Sequence, residues 1–108
     1  MARILAYVPD LLFGSRVAGA LQAAGHEVRL APALPDPLDA DLLIVDLTAD
    51  AQTRARAAGA VTVPTLAFYS HVEAAVRGMA EEAGIDLVVP RSRMAREGPA
   101  LVERLLAG

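Results

Sequence analysis

Cysteine and lysine are both absent from this 108-residue sequence, and all ten basic residues are arginine. Thiolate nucleophiles, disulfides, cysteine-based zinc sites and Schiff bases are therefore excluded, leaving carboxylate, hydroxyl, imidazole and guanidinium groups to do any chemistry. Asp46, which closes the apolar run Leu42-Leu43-Ile44-Val45, has the sharpest functional reading. A carboxylate at the mouth of a buried strand can attack a phosphoryl donor or serve as one Mg²⁺ ligand; equally, it can be a hydrogen-bonded carboxylate capping the next turn. Asp10 is the only other carboxylate expected nearby, so Asp10 and Asp46 form no more than a weak Mg²⁺ pair. Ser70 stands three residues before Glu73 in the spacing of a helix capping box. His71 beside it could act as a general base or pH-sensitive contact, or lie exposed in a first helical turn. Arg16, Arg91, Arg93 and Arg96, with Ser15 and Ser92 among them, could bind an anion or an acidic partner through bidentate contacts, or form a solvated basic face. Phe13-Gly14-Ser15-Arg16 is read as a tight turn against a helix N-terminus.

To bring these groups together, the chain must place them at the ends of strands. Arg3–Val8 is a short apolar run stopped by Pro9, and it predicts a buried first strand. A helix follows, starting between Asp10 and Ser15, with Val17, Leu21 and Ala24 on one face and Gly25 ending it in a left-handed conformation. His26–Ala31 alternates and predicts an edge strand. Prolines 32, 35 and 37 leave room for no more than one helical turn before the strongest strand signal, which leads into Asp46. Thr48 or Asp50 is expected to cap a short alanine-rich helix ending at Gly59, and Val61–Tyr69 predicts the fourth strand. The Ser70–Glu73 box then opens a helix carrying Val72, Ala75, Val76, Met79, Ala80 and Ala83 on one face, closed by Gly84. Ile85–Val89 is the fifth strand, and Pro99 is expected to open the last helix, with Leu101, Val102, Leu105 and Leu106 inward.

Strands alternating with helices imply a three-layer, doubly wound α/β fold: a five-stranded parallel sheet of order 2-1-3-4-5 with the second helix reduced or absent, in one domain over residues 1–108. The proline-rich link must cross the first strand without a helix. About ten extended residues reach roughly 33 Å at about 3.3 Å each. The return path is about 17–20 Å along a strand and about 10 Å across two strand spacings of about 4.8 Å.

At this point the residues resemble the receiver domain of bacterial two-component response regulators, over nearly the whole chain. Ile4-Leu5-Ala6-Tyr7-Val8 looks like that family's first strand. Leu42-Leu43-Ile44-Val45-Asp46 resembles the third strand with its phosphoacceptor, and Leu66-Ala67-Phe68-Tyr69-Ser70 the fourth strand with its terminal hydroxyl. The resemblance implies a phosphoacceptor or switch role for Asp46, Ser70 and Arg91. Two departures stand beside it: Val8 and Pro9 occupy the positions of the family's acidic Mg²⁺-binding pair, and Pro90-Arg91 replaces its Lys-Pro. The closest description is a divergent pseudo-receiver of the flavodoxin-like fold.

Composition narrows the partners. A net charge of -3 and a pI near 5.2, with two Tyr and two Phe, predict no nucleic-acid binding. The longest stretch free of charged residues runs from Ala57 to Val72, broken by Gly59 and Pro64, so no membrane span is expected. No export signal is read at the N-terminus, and a cytoplasmic location is expected. Leu11-Leu12-Phe13-Gly14-Ser15 lacks the hydroxyl-rich loop that flavodoxins use for FMN, and no Gly-x-Gly-x-x-Gly, P-loop or Gly-x-Ser-x-Gly pattern occurs. No cofactor is expected beyond weak Mg²⁺, and no catalytic residue is assigned. The expected function is a stand-alone receiver-like signalling or protein-interaction domain that works without phosphorylation, with self-association through the last two helices and the strand between them. Two alternatives stay open: an atypical phosphoreceiver using Asp46 with Mg²⁺, and a small-anion-binding protein or enzyme with a pocket at the carboxyl ends of the strands.

Overall fold

In a computed structural model that describes residues 1–108, the apolar runs form strands β1 (Arg3–Tyr7), β2 (Glu27–Ala31), β3 (Leu42–Asp46), β4 (Thr65–Tyr69) and β5 (Leu87–Pro90). Helices α1 (Leu11–Ala23), α2 (Ala51–Gly59), α3 (Ala75–Glu82) and α4 (Arg91–Ala107) alternate with them. All neighbouring strands run parallel, in the order β2-β1-β3-β4-β5 expected from the sequence. Ile4 lies between Val28 and Leu42, and Phe68 between Asp46 and Val89. β3 and β4 are buried at every position, as central strands covered on both faces must be. β2 has only Ala31 fully buried, which suits an edge.

Each face of the sheet has its own core. On one, Ile4, Ala6, Ile44, Leu66 and Phe68 meet Val17 and Leu21 of α1 and Met94, Leu101 and Val102 of α4. On the other, Leu43, Val45, Ala67 and Val88 meet Ala55 and Ala58 of α2 and Val76 and Ala80 of α3. Burying one large apolar side chain contributes about 1.5–3 kcal/mol, so the two cores carry most of the fold's stability. The link between β2 and β3 contains no helix; Leu34 and Leu38 pack against the second core instead. Helices α1 and α3 end as their glycines predict. Gly25 and Gly84 adopt φ 96° and 97°, returning the next amide to the helix, His26 to Leu21 and Ile85 to Ala80.

Several local expectations are overturned. Pro99 lies inside α4 rather than at its start. Met94, Gly98, Leu101 and Val102 form one continuous buried face, and this packing outweighs the hydrogen bond that proline removes. The Ser70–Glu73 capping box does not form: the Ser70 carbonyl accepts the Glu73 amide in a turn, and α3 begins later with no side-chain cap. Val72 is consequently left out of the helical face, 76% exposed. Neither Thr48 nor Asp50 caps α2, whose entry residue Asp50 is left-handed at φ 48°. Phe13-Gly14-Ser15-Arg16 is helical, not a turn. Asp10 caps α1 by accepting the Leu12 and Phe13 amides, so the helix starts as soon as the strand ends.

Candidate functional site

The carboxyl ends of β1, β3, β4 and β5 gather the polar residues singled out in the sequence, but split them into two places. Asp46, the last residue of β3, is 3% exposed. Its Oδ1 accepts from the Thr48 backbone amide at 2.8 Å and from the Thr48 hydroxyl. Arg54 approaches from α2: Nη1 donates to the Asp46 carbonyl at 3.1 Å and stands 3.9 Å from Oδ2. The guanidinium is held from behind by the Tyr7 ring, 5.5 Å from its centroid, and by Asp50 at 3.8 Å. Arg54 is the functional side chain that sequence reasoning missed. Its one sequence signal is the four-residue spacing from Asp50, which turns Arg54 back toward the strand end.

The second place is a cleft of about 600 Å³ between α1, the turn after β4 and the start of α4. Arg16, Ser70, His71, Arg91 and Ser92 line it together, with Phe13, Thr48 and Glu73; Asp46 does not. Arg91 lies with its guanidinium carbon 4.3 Å from the Phe13 ring centroid. It reaches Asp10 Oδ2 at 3.4 Å. Phe13 is fixed in turn against Phe68, with ring centroids 4.9 Å apart. Ser15 and Arg93 stay outside the cleft: Ser15 is exposed on α1, and Arg93 pairs with Glu97 one turn along α4.

This geometry does not fit Mg²⁺. Asp10 spends one oxygen on the α1 amides and the other on Arg91, while Asp46 is occupied by Thr48 and faced by Arg54. No group of three or more metal-ligating side chains forms anywhere in the molecule. A hard divalent cation requires around six oxygen ligands, and here arginines stand where those oxygens would be needed.

No protein-family model and no curated protein matches the sequence. Solved structures do match in fold. The non-phosphorylated HemR receiver domain of Leptospira biflexa superposes with a TM-score of 0.81 at 22% identity, over 100% of this chain and 96% of that one. The receiver domain of the Francisella response regulator 1452 gives 0.83 at 12% identity, over 99% and 98%. NtrX from Brucella abortus, in complex with ADP, gives 0.78 at 19% identity; 98% of this chain matches, spanning 27% of that longer protein. The fold is that of a response-regulator receiver domain. Within that fold, the strand-end carboxylate of this chain, Asp46, faces an arginine.

Proposed function

We propose that residues 1–108 form one receiver-like domain that signals by binding a protein partner in the bacterial cytoplasm, without phosphorylation of Asp46. The observation that carries this reading is the enclosure of Asp46 by Thr48 and Arg54. A nucleophilic carboxylate needs an oxygen free to attack and a cation to bridge it to the phosphoryl group. Here one oxygen has two donors, and the other faces a guanidinium, which supplies charge but cannot coordinate. Exposed apolar side chains supply a contact surface at the same end of the molecule. Leu11 and Leu12 follow β1, and Val72 follows β4; they are 73%, 88% and 76% exposed. No helix is long and apolar enough to cross a membrane.

Self-association through α3, β5 and α4 belongs to the same reading as a weak contact. Met79 is half-buried, and Leu106 is the only large apolar side chain on that face counted as exposed, at 37%. The phosphorylation question is settled by titrating ¹⁵N-labelled protein with Mg²⁺ and then beryllofluoride, alongside Asp46→Asn. The expected result is no saturable shift that depends on Asp46. Saturable shifts around Asp46, Ser70 and Arg91 that vanish in the variant would replace this reading with an atypical phosphoreceiver, with Asp10 holding the metal and Arg91 standing in for lysine.

A further inference from the structure

Pro32, Pro35 and Pro37 keep the link between β2 and β3 from forming a crossover helix. A helix there would pair its own backbone and fill the space beside α2; an extended strap does neither. Leu34 and Leu38 anchor the strap on the second core. A groove of about 560 Å³ stays open between it, the end of α2 and the loop leading into β4. The groove shares no lining residue with the cleft at the carboxyl ends of the strands. Both of its walls carry backbone groups without partners. From Ala33 to Asp39 no amide or carbonyl joins a hydrogen bond within the molecule, and the amides of Thr62 and Val63 donate to none. Apolar side chains, among them Leu34, Leu38, Val61 and Val63, make up most of the lining. Its one charged residue is Asp36, exposed and without an ion pair.

We propose that this groove binds an extended peptide segment of a partner protein, one that carries a basic side chain between apolar ones. An extended segment has donors and acceptors along both edges of its main chain, which suits a groove with free backbone groups on both walls. An apolar small molecule of the same size would strip water from those groups and return no hydrogen bond. Alternate side chains of the segment point to opposite sides, so a basic residue can meet Asp36 while its neighbours lie on the apolar lining. No arginine lines the groove to repel it. The inference extends the protein-binding reading to the end of the sheet opposite Leu11, Leu12 and Val72. It makes no use of Asp46, so it and the phosphorylation-independent reading fail in different experiments.

The test is selection from a random heptapeptide library, displayed on phage, against the folded protein, followed by ¹⁵N NMR titration with the most enriched peptide. Enriched sequences should place arginine or lysine between apolar residues, and the peptide should shift the amides of Leu34, Asp36, Leu38, Thr62 and Val63 saturably. Asp36→Asn should weaken binding about fivefold, the upper range for a solvent-exposed ion pair. Replacing the basic residue of the peptide with norleucine should cost the same, and should cost nothing further in Asp36→Asn. Ala60→Arg, at an exposed helix end, should leave the spectrum folded and obstruct the groove, weakening binding at least as much. The inference is overturned by a lack of enrichment, by enriched peptides without a basic residue, by shifts confined to the Leu11, Leu12 and Val72 end, or by unchanged affinity in either variant. Saturation of the same amides by phenethylamine as tightly as by the peptide would overturn it in favour of a small organic cation, and their shifting on dilution of the protein alone in favour of a second copy of this chain.

Discussion

A carboxylate that is 3% exposed loses its water, and the loss costs several kcal/mol unless donors and a cation replace it. At Asp46 the replacement comes entirely from within ten residues of chain: Thr48 supplies a backbone and a side-chain donor, and Arg54 the positive charge. Replacing Arg54 with alanine should lower unfolding free energy by about 2–3 kcal/mol, read by urea denaturation, because a nearly buried carboxylate loses its partner and the guanidinium leaves the Tyr7 ring. In an Asp46→Asn background the same change should cost about 1 kcal/mol less, since no buried charge is stranded. Equal costs in both backgrounds would mean that Arg54 acts through packing alone. This partnership was not legible in the sequence. Asp46 was visible because it ends an apolar run, but the only spacing signal of Arg54 ties it to Asp50, and nothing in the sequence ties it to Asp46 eight residues earlier, before the left-handed Asp50. Arg91 was the visible candidate, and the structure gives it to Phe13 and Asp10.

Element type followed from periodicity, while element ends followed from contacts that the sequence does not display. The left-handed glycines after α1 and α3 were readable because few other residues tolerate that conformation. The start of α3 was not, because a backbone turn took the Ser70 carbonyl that a capping box would have left for the helix. Nor was the length of α4, where a buried face continues through Pro99. Gly59, at the end of α2, has a role of the same hidden kind. A Cβ built there would overlap the Ala83 carbonyl, so the missing side chain lets the ends of α2 and α3 meet backbone to backbone. Gly59→Ala should therefore destabilise the protein by about 1–3 kcal/mol, the usual cost of overpacking, although alanine is the better helix former. Thermal unfolding checks this. A higher melting temperature would show that the two helix ends can part without loss, and that helix propensity decides the outcome.

The order of five strands and the division into two cores were legible because each strand is a short apolar run and every crossover in such a sheet must be right-handed. The closure of the molecule, where its first residues meet its last helix, was not. It rests on His26, a residue with no motif around it. The ring is buried just before the edge strand β2. Its Nδ1 accepts the Ala2 amide at 3.2 Å, so the proton sits on Nε2, which donates to Glu103 of α4 at 2.7 Å. One side chain thus satisfies a buried amide at the start of β1 and ties it across 77 residues of sequence to the C-terminal helix. His26→Ala should cost about 2–3 kcal/mol through the lost ring volume and the unsatisfied Ala2 amide. Glu103→Gln keeps an oxygen for Nε2 at a side chain already 63% exposed, so its cost should stay within about 0.5 kcal/mol. Hydrogen exchange separates closure from general weakening: in His26→Ala the Ala2 amide should exchange far faster, while the β3 amides slow or quicken only as global stability dictates. If Ala2 instead keeps pace with β3, the N-terminal strand is held by its ladder to β2 and β3, and His26 merely fills space.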